Sequence, residues 1–337
     1  MITEDQVRQS LDEVLVPGAM RSLGKLNLIR QVSVSDNKVQ ILLASAGLSS
    51  GTQDWLRQKI GDVIKKLPEI METNVDFVEA KPKETNDVGY VIAVMSGKGG
   101  VGKSLVAALL GVALARQGRE VGILDADITG PSIPKMFGLS HARPAGSDTG
   151  IFPALSRAGI EIMSINLLLE HEDDAVIWRG PLIGKAIQQF WEDVLWGKLD
   201  CLIVDLPPGT ADAPLTVMQS LPVSGVVIVF SPQELAAMVV KKAINMSKQM
   251  DVPILGMVEN MSYFILPDSG KKLELFGKSK GEEMTEVAGT SLLAQIPIDP
   301  EIARLCDEGQ IERYSLDAFD AFAQEFAQAL PIKAKQI

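Results

Sequence analysis

Cysteine is nearly absent: the 337 residues contain only Cys201 and Cys306. The two lie far apart, without a further Cys or His at ligand spacing, which excludes a disulfide framework and a zinc motif. Histidine is equally scarce, and His141 and His171 fall in polar, loop-like stretches where a solvated ring is expected. Positive charge is in deficit, with 32 Lys and Arg against 43 Asp and Glu and a net charge of -11. That balance argues against a broad, sequence-independent grip on nucleic acid or on an anionic membrane. No uninterrupted apolar run approaches the roughly 18 residues of a membrane helix. The opening MITEDQVRQS carries acids where a signal peptide would carry an apolar stretch. A cytoplasmic chain of roughly two domains follows from the usual prior of about 150 residues each, and 46% hydrophobic content can fill their cores.

What is present is strongly patterned. Thr3 and Gln6 stand at capping-box spacing ahead of Val7, Leu11, Val14 and Leu15 on one helical face. Val32 and Val34 alternate, Asp36-Asn37 turns the chain, and Val39, Ile41 and Leu43 alternate again, as in a hairpin. A second helix is expected over Thr52 to Leu67 with Trp55, Leu56, Ile60, Val63, Ile64 and Leu67 inward, followed by a short strand at Val75 and Phe77. This αββαβ order defines a small α+β domain over 1–80, and the polar, aperiodic 81–89 reads as a linker. From 90 to 337 the pattern becomes YVIAVM, EVGILDAD, GIEIMSI, CLIVDLPPG, GVVIVFSP, PILGMVEN and SLLAQIP, separated by helical stretches such as Leu105 to Gln117 and Gln233 to Met250. Continuous apolar strands alternating with helices specify an α/β fold with a mostly parallel sheet covered on both faces. Functional residues are then expected at the strands' carboxyl ends. The chain shows no internal repeat.

The strand YVIAVM runs into Gly97-Lys98-Gly99-Gly100-Val101-Gly102-Lys103-Ser104 and then, from Leu105, a helix. Glycines let backbone N–H groups close around phosphate oxygens, and the helix N-terminus adds positive potential. In such a loop Lys103 reaches the β and γ phosphates and the Ser104 hydroxyl meets Mg²⁺. Two further strand ends supply acids for the metal and the attacking water: Asp125 and Asp127 in ILDADITGPS, and Asp205 in LIVDLPPGTAD, placed like a Walker B acid. Plain capping of the next segment is the alternative reading of Asp125 and Asp127. Gly209, Thr210 and the neighbouring prolines form a loop able to move when the γ phosphate leaves.

The second lysine of GKGGVGKS, Lys98, marks the deviant Walker A of the MinD/ParA/nitrogenase-reductase class of P-loop NTPases. LDADITGPSIPKMFG, WRGPLIGKAIQQFWEDVLWGKLD, GMVENMSYF and IPIDPEIARLCDEG further resemble segments of the Mrp/ApbC-type ATPases assigned to iron-sulfur cluster carriage, and the first domain is similar to their SufT-like domain. The resemblance implies a homodimer in which Lys98 reaches the partner's nucleotide. It also implies catalytic roles for Lys98, Lys103 and Asp127, the latter orienting water. Mg²⁺ falls to Ser104, Asp125 and Asp205, ATP to residues 97–105 and to Asn260 at the adenine. No guanine-reading N-K-x-D motif is present. Implied partners are apoprotein clients or scaffold proteins of iron-sulfur assembly, with neither nucleic acid nor membrane.

The cargo site departs from the resemblance. Leu266 and Ser269 stand in the places of the C-P-x-C pair at which two subunits share a cluster, and neither side chain substitutes for cluster-binding thiolate. The D-P-E of the first domain reads Val16-Pro17-Gly18, and its cysteine-bearing loop reads Ala44 to Leu48. Ligands for a [4Fe-4S] cluster are thereby reduced to Cys306, paired across a dimer, to Cys201, disfavoured by its place in an apolar strand, or to groups from a partner. Three functions compete: an ATPase of iron-sulfur assembly, a MinD/ParA-like positioning switch without cluster cargo, and a nucleotide-regulated binding module. Against the switch, the tail SLDAFDAFAQEFAQAL sets Phe319, Phe322 and Phe326 beside Asp317, Asp320 and Glu325, where a membrane-surface helix carries a basic face. Met238, Met246 and Met250 read as core and helix-surface residues, and Trp178 to Pro181 as packing or a dimer surface.

Overall fold

The computed structural model describes residues 2–68, 70–127, 130–168, 180–209, 212–314, 321 and 323–326, with side chains at 180–183 and 234–239 left aside. The expectations for His171, Thr210, Trp178, Arg179, Asp317, Phe319, Asp320 and Phe322, and for the side chains of Pro181 and Met238, lie outside the described residues. Two compact units emerge: Met1–Val88 with Arg143–Ala154 and Gln189–Leu199, and Gly89–Ala142 with Leu155–Gln188 and Asp200–Ile337.

In the first unit Thr3 Oγ1 accepts from Gln6 N at 3.3 Å and Gln6 Oε1 accepts from Thr3 N at 3.0 Å, which starts the helix Glu4–Leu11. The helix ends at Leu11, so Leu15, expected on its inner face, is exposed. Strands Ile29–Ser35 and Lys38–Ala44 pair antiparallel through Asp36 (φ 47°) and Asn37 (φ 62°), two left-handed residues of the kind a tight hairpin needs. The helix Ser50–Ile64, capped by Ser49, leads to Glu72–Val78, which adds in parallel to the second strand. Leu56, Ile60 and Ile64 are fully buried, one every four residues. Trp55, expected inward, is 41% exposed, because one residue turns it about 100° off that stripe. The polar 81–89 stretch is more than a spacer: Pro82–Thr85 is a short helix, with Glu84 Oε2 accepting from Lys81 N and Asn86 Nδ2 donating to Val194 O at 3.0 Å.

The second unit is built on eight strands in the order Leu292–Gln295, Ile254–Glu259, Gly225–Phe230, Asp87–Ser96, Lys198–Asp205, Val121–Asp125, Glu161–Ser164 and Ala154–Leu155. The first seven are the apolar runs expected from the sequence, with parallel pairing from Leu292–Gln295 through Ile254–Glu259 and Gly225–Phe230 to Asp87–Ser96, and from Lys198–Asp205 through Val121–Asp125 to Glu161–Ser164. Val121–Asp125 and Gly225–Phe230 are buried along their whole length, as strands covered on both faces must be. The helix Lys103–Arg116 packs so closely on the sheet that a Cβ at Gly111 would meet Ile123 at 2.7 Å. Because Asp87–Ser96 lies between Gly225–Phe230 and Lys198–Asp205, the loops leaving these three strands share one rim. Asp205 pairs with Asp125 in register, and Ser96 with Val229. Beyond Glu259 a small arm pairs Phe264–Ile265 with Lys272–Leu273. Ala323 and Phe326 of the tail are buried in the core, so this part of the tail covers the protein's own apolar surface. No helix among the described residues is long and apolar enough to cross a membrane.

Candidate functional site

The loop from Gly97 to Gly102 joins the end of the strand Asp87–Ser96 to the helix Lys103–Arg116. Gly100 (φ 80°) and Gly102 (φ 78°) are left-handed, and a Cβ at Gly102 would also run into the Asn260 amide. That amide is buried and donates to Val101 O at 2.9 Å, so Asn260 is fastened to the loop from the end of Ile254–Glu259, two strands away. Ser96 Oγ donates to Lys98 O at 2.9 Å from the other side. The loop is therefore shaped before any ligand arrives.

Lys103 is the electrostatic centre. Its ammonium, 5% exposed, lies 2.5 Å from Asp205 Oδ1, 3.8 Å from Asp127 Oδ2 and 3.4 Å from Ser104 Oγ. Burial pushes the Asp205 carboxyl above its ordinary range, and the Lys103 ammonium opposes that shift. The second oxygen, Asp205 Oδ2, is buried and accepts no hydrogen bond of ordinary geometry, although the Ser104 hydroxyl lies beside the carboxylate. An orphaned carboxylate oxygen next to a hydroxyl fits a hard divalent cation, which usually takes one or two protein oxygens and completes its shell with phosphate and water.

Asp125 serves its own loop. Oδ1 accepts from Asp127 N at 3.2 Å, and Oδ2 from Ser132 N, Ile133 N and Ser164 Oγ at 3.1, 3.2 and 3.4 Å. The capping alternative thus describes its contacts, and it fixes the backbone that carries Asp127. Burial first, and the Asp205 charge second, push the Asp125 carboxyl up to about 8. Gly99, Gly100, Lys103, Ser104, Asp127 and Pro208 line a cavity of about 280 Å³ in front of this cluster. Its mouth is a glycine loop with a cation at its base and a carboxylate at its side, an arrangement suited to polyphosphate. Gly209, also left-handed, donates to Ser96 O at 3.2 Å, which ties the segment after Asp205 to the same rim.

Lys98 is partly buried, and its ammonium donates to Gln233 Oε1 at 2.5 Å. Gln233 was not singled out from the sequence; the signal was its position just after the strand GVVIVF. Glu259 was also missed. Fully buried beside Asn260, it accepts from Ser262, Ser279, Lys280 N and Gln295 at 2.6 to 2.9 Å and anchors the base of the arm.

The thiol positions are separate from this cluster. Cys201 is buried in its strand. Cys306 is half-buried, and burial, then Asp307, push its thiol up to about 11, away from the thiolate a cluster needs. Leu266 and Ser269 shape the arm's turn, where Leu266 O accepts from Ser269 N and Gly270 N. Among the described residues no group of three or more His, Cys, Asp or Glu is arranged to hold a metal ion. His141 is exposed, and Met246 is buried in the core.

Comparison with known proteins agrees with this geometry. A family described as NUBPL iron-transfer P-loop NTPase matches residues 87–330, and one described as iron-sulfur cluster assembly protein matches residues 4–77. The iron-sulfur cluster carrier protein of Synechocystis sp. is 37% identical over 99% of both chains. That of Aquifex aeolicus is 37% identical over 92% of this chain and 90% of its own. Among solved structures, the nucleotide-binding protein of Archaeoglobus fulgidus in complex with ADP is 50% identical, with a TM-score of 0.63, covering 70% of this chain and 92% of that one. MinD of Pyrococcus horikoshii with Mg-ADP, 23% identical with a TM-score of 0.51 over 74% of this chain and all of that one, shares the fold.

Proposed function

The chain belongs to the NUBPL iron-transfer P-loop NTPase family, and on that premise we propose that it is a cytoplasmic, homodimeric ATPase that helps deliver iron-sulfur clusters to apoprotein clients. The observation that carries this reading is the buried Lys103 ammonium beneath a preformed glycine loop, beside an Asp205 oxygen left without a hydrogen bond. Backbone N–H groups of 97–105 and Lys103 bind the phosphates, and Asn260 meets the adenine. Ser104 and Asp205 would hold Mg²⁺, which would supply neutralisation of phosphate charge. Asp125 acts on the metal side through the loop it pins, and Asp127 orients the attacking water. Water adds to the γ phosphorus, the bond to the bridging oxygen breaks, and ADP and phosphate leave. Lys98 of the second subunit neutralises the charge that develops in that step.

The carrier names of full-length relatives favour this reading over the MinD/ParA-like switch, as does the burial of Ala323 and Phe326 in the core. The cluster is cargo. With Leu266 and Ser269 in the arm and a protonated Cys306, its ligands come from client or scaffold, and this chain supplies the nucleotide-driven motion. The first domain, 1–80 with its connection through 81–89, recruits that client, in keeping with the iron-sulfur assembly match over 4–77.

The test follows transfer of a [4Fe-4S] cluster from a scaffold to an apoprotein that gains activity with it. We expect acceleration that requires ATP and is lost in Asp127→Ala, with iron and acid-labile sulfide absent from protein purified without oxygen. Transfer rates indifferent to ATP would overturn the delivery role. Stoichiometric iron and sulfide that disappear in Cys306→Ala would show that the chain holds the cluster itself.

A further inference from the structure

We propose that Gln233 is a latch for Lys98, holding the ammonium inside its own subunit until a nucleotide-loaded second copy draws it out. The inference rests on the reading of Lys98 as the lysine that acts across the dimer.

Lys98 is held at both ends. Ser96 Oγ donates to its carbonyl at 2.9 Å, and its ammonium donates to Gln233 Oε1 at 2.5 Å. The two residues are 135 positions apart, yet their loops leave adjacent parallel strands in register, Val229 opposite Ser96. The sheet fixes this meeting. Gln233 stands in the N-cap position of the helix Glu234–Gln249, with extended backbone at φ -58°, ψ 137°. Short side chains there, Ser, Thr, Asp or Asn, accept from the first helical N–H groups. Gln233 makes no such bond and spends its acceptor on Lys98.

The chemistry of the acceptor matters as much as its position. The carboxylates Asp127 and Asp205 are gathered around Lys103, whereas Lys98 meets an uncharged amide. A hydrogen bond from an ammonium to a neutral amide holds a partly solvated lysine in place, but it yields to a triphosphate, which offers full negative charge. A carboxylate at the same place would hold far more tightly. The bond to Gln233 also directs the ammonium toward the next loop, and Lys98 is not among the residues lining the cavity of its own glycine loop.

Two reciprocal variants test the latch. In dilute, nucleotide-free protein, labelling of Lys98 by an amine-reactive reagent, read by mass spectrometry, is expected to rise about 3- to 10-fold in Gln233→Ala and to fall similarly in Gln233→Glu, the range of one partly solvated charge-assisted bond. Specific ATPase activity against protein concentration is expected to reach half its plateau at lower concentration in Gln233→Ala and at higher concentration in Gln233→Glu. ADP affinity and thermal midpoint, which a general folding defect would move, should hold. Unchanged labelling overturns the latch. Changed labelling with unchanged activity curves, while Lys98→Ala abolishes turnover, overturns its control of assembly and leaves the role of Lys98 standing. Full turnover in Lys98→Ala overturns the reading of Lys98 itself, and the latch with it.

Discussion

Replacing Asp205 by Asn removes one charge and leaves the shape, and the structure predicts opposite effects on nucleotide binding with and without metal. In the unliganded site Lys103 is neutralised by Asp205 at 2.5 Å, with Asp127 at 3.8 Å, and the pair is almost wholly buried. A nucleotide must win the ammonium away from that carboxylate. A buried hydrogen bond to a charged group contributes about 1.5–3 kcal/mol, and the remaining Asp127 contact places the loss near the lower end. Metal-free ADP should therefore bind Asp205→Asn about tenfold more tightly than wild type, since about 1.4 kcal/mol is a factor of ten. Mg²⁺ should restore little, because the unsatisfied Oδ2 that suits a cation is replaced by an amide group. Calorimetric titration of ADP into both proteins, with chelator and with Mg²⁺, reads the four affinities. Metal-free affinity that falls, or a wild-type Mg²⁺ enhancement in the variant, would refute the reasoning.

Gly102→Ala should lose nucleotide binding outright, since φ 78° is strained by about 1–2 kcal/mol for a residue with a Cβ and that Cβ meets the Asn260 amide; ADP titration with a thermal melt checks it. Leu56→Ala should destabilise the first unit by about 2–5 kcal/mol, whereas Trp55→Ala, at an exposed site, should cost under about 1 kcal/mol; urea melts of the full chain distinguish them. For Cys306, a thiol raised from 9.0 to about 11 should alkylate about a hundredfold more slowly at pH 8 than an ordinary thiol, with a rate that still climbs beyond pH 10. The sign for stability follows: the folded thiol keeps its proton longer, so its contribution is complete below pH 9 and is lost as pH rises through 11, read from melts across that range.

The parts of the site that were legible in sequence are those written in contiguous residues. A strand, a glycine loop and a helix in succession define where phosphate goes, and an acid at the end of CLIV defines Asp205, because local chemistry alone demands them. Seven strands were legible for the same reason: a buried parallel strand needs an unbroken apolar run. Trp55 and Leu15 were misplaced because hydrophobicity indicates preference for the interior, while the stripe at 56, 60 and 64 and the helix end at Leu11 decide who enters it. Pro82–Thr85 escaped because its order comes from Asn86 bonding to Val194, more than a hundred residues away. Gln233 escaped likewise, since its meeting with Lys98 depends on which strands are neighbours, and strand order is not written in any one segment.

Leu266 and Ser269, where the family resemblance implies a cysteine pair, lie in a turn whose closure needs neither side chain. The arm's turn is closed by backbone bonds, Leu266 N to Lys271 O at 3.0 Å and Gly270 N to Leu266 O at 2.8 Å, and its base is anchored by the four donors gathered on Glu259. The side chain of Leu266 takes part in neither, and that of Ser269 adds only a 3.5 Å contact from Lys271 N. Residue identity at these two places is therefore free to change without loosening the arm. Asn260, the next residue after Glu259, is meanwhile bonded to the phosphate loop through Val101 O. One strand end thus joins the nucleotide site to the base of the arm through contacts that need no cysteine. Leucine and serine at these two places are therefore compatible with a bonded link between the glycine loop and the base of the arm.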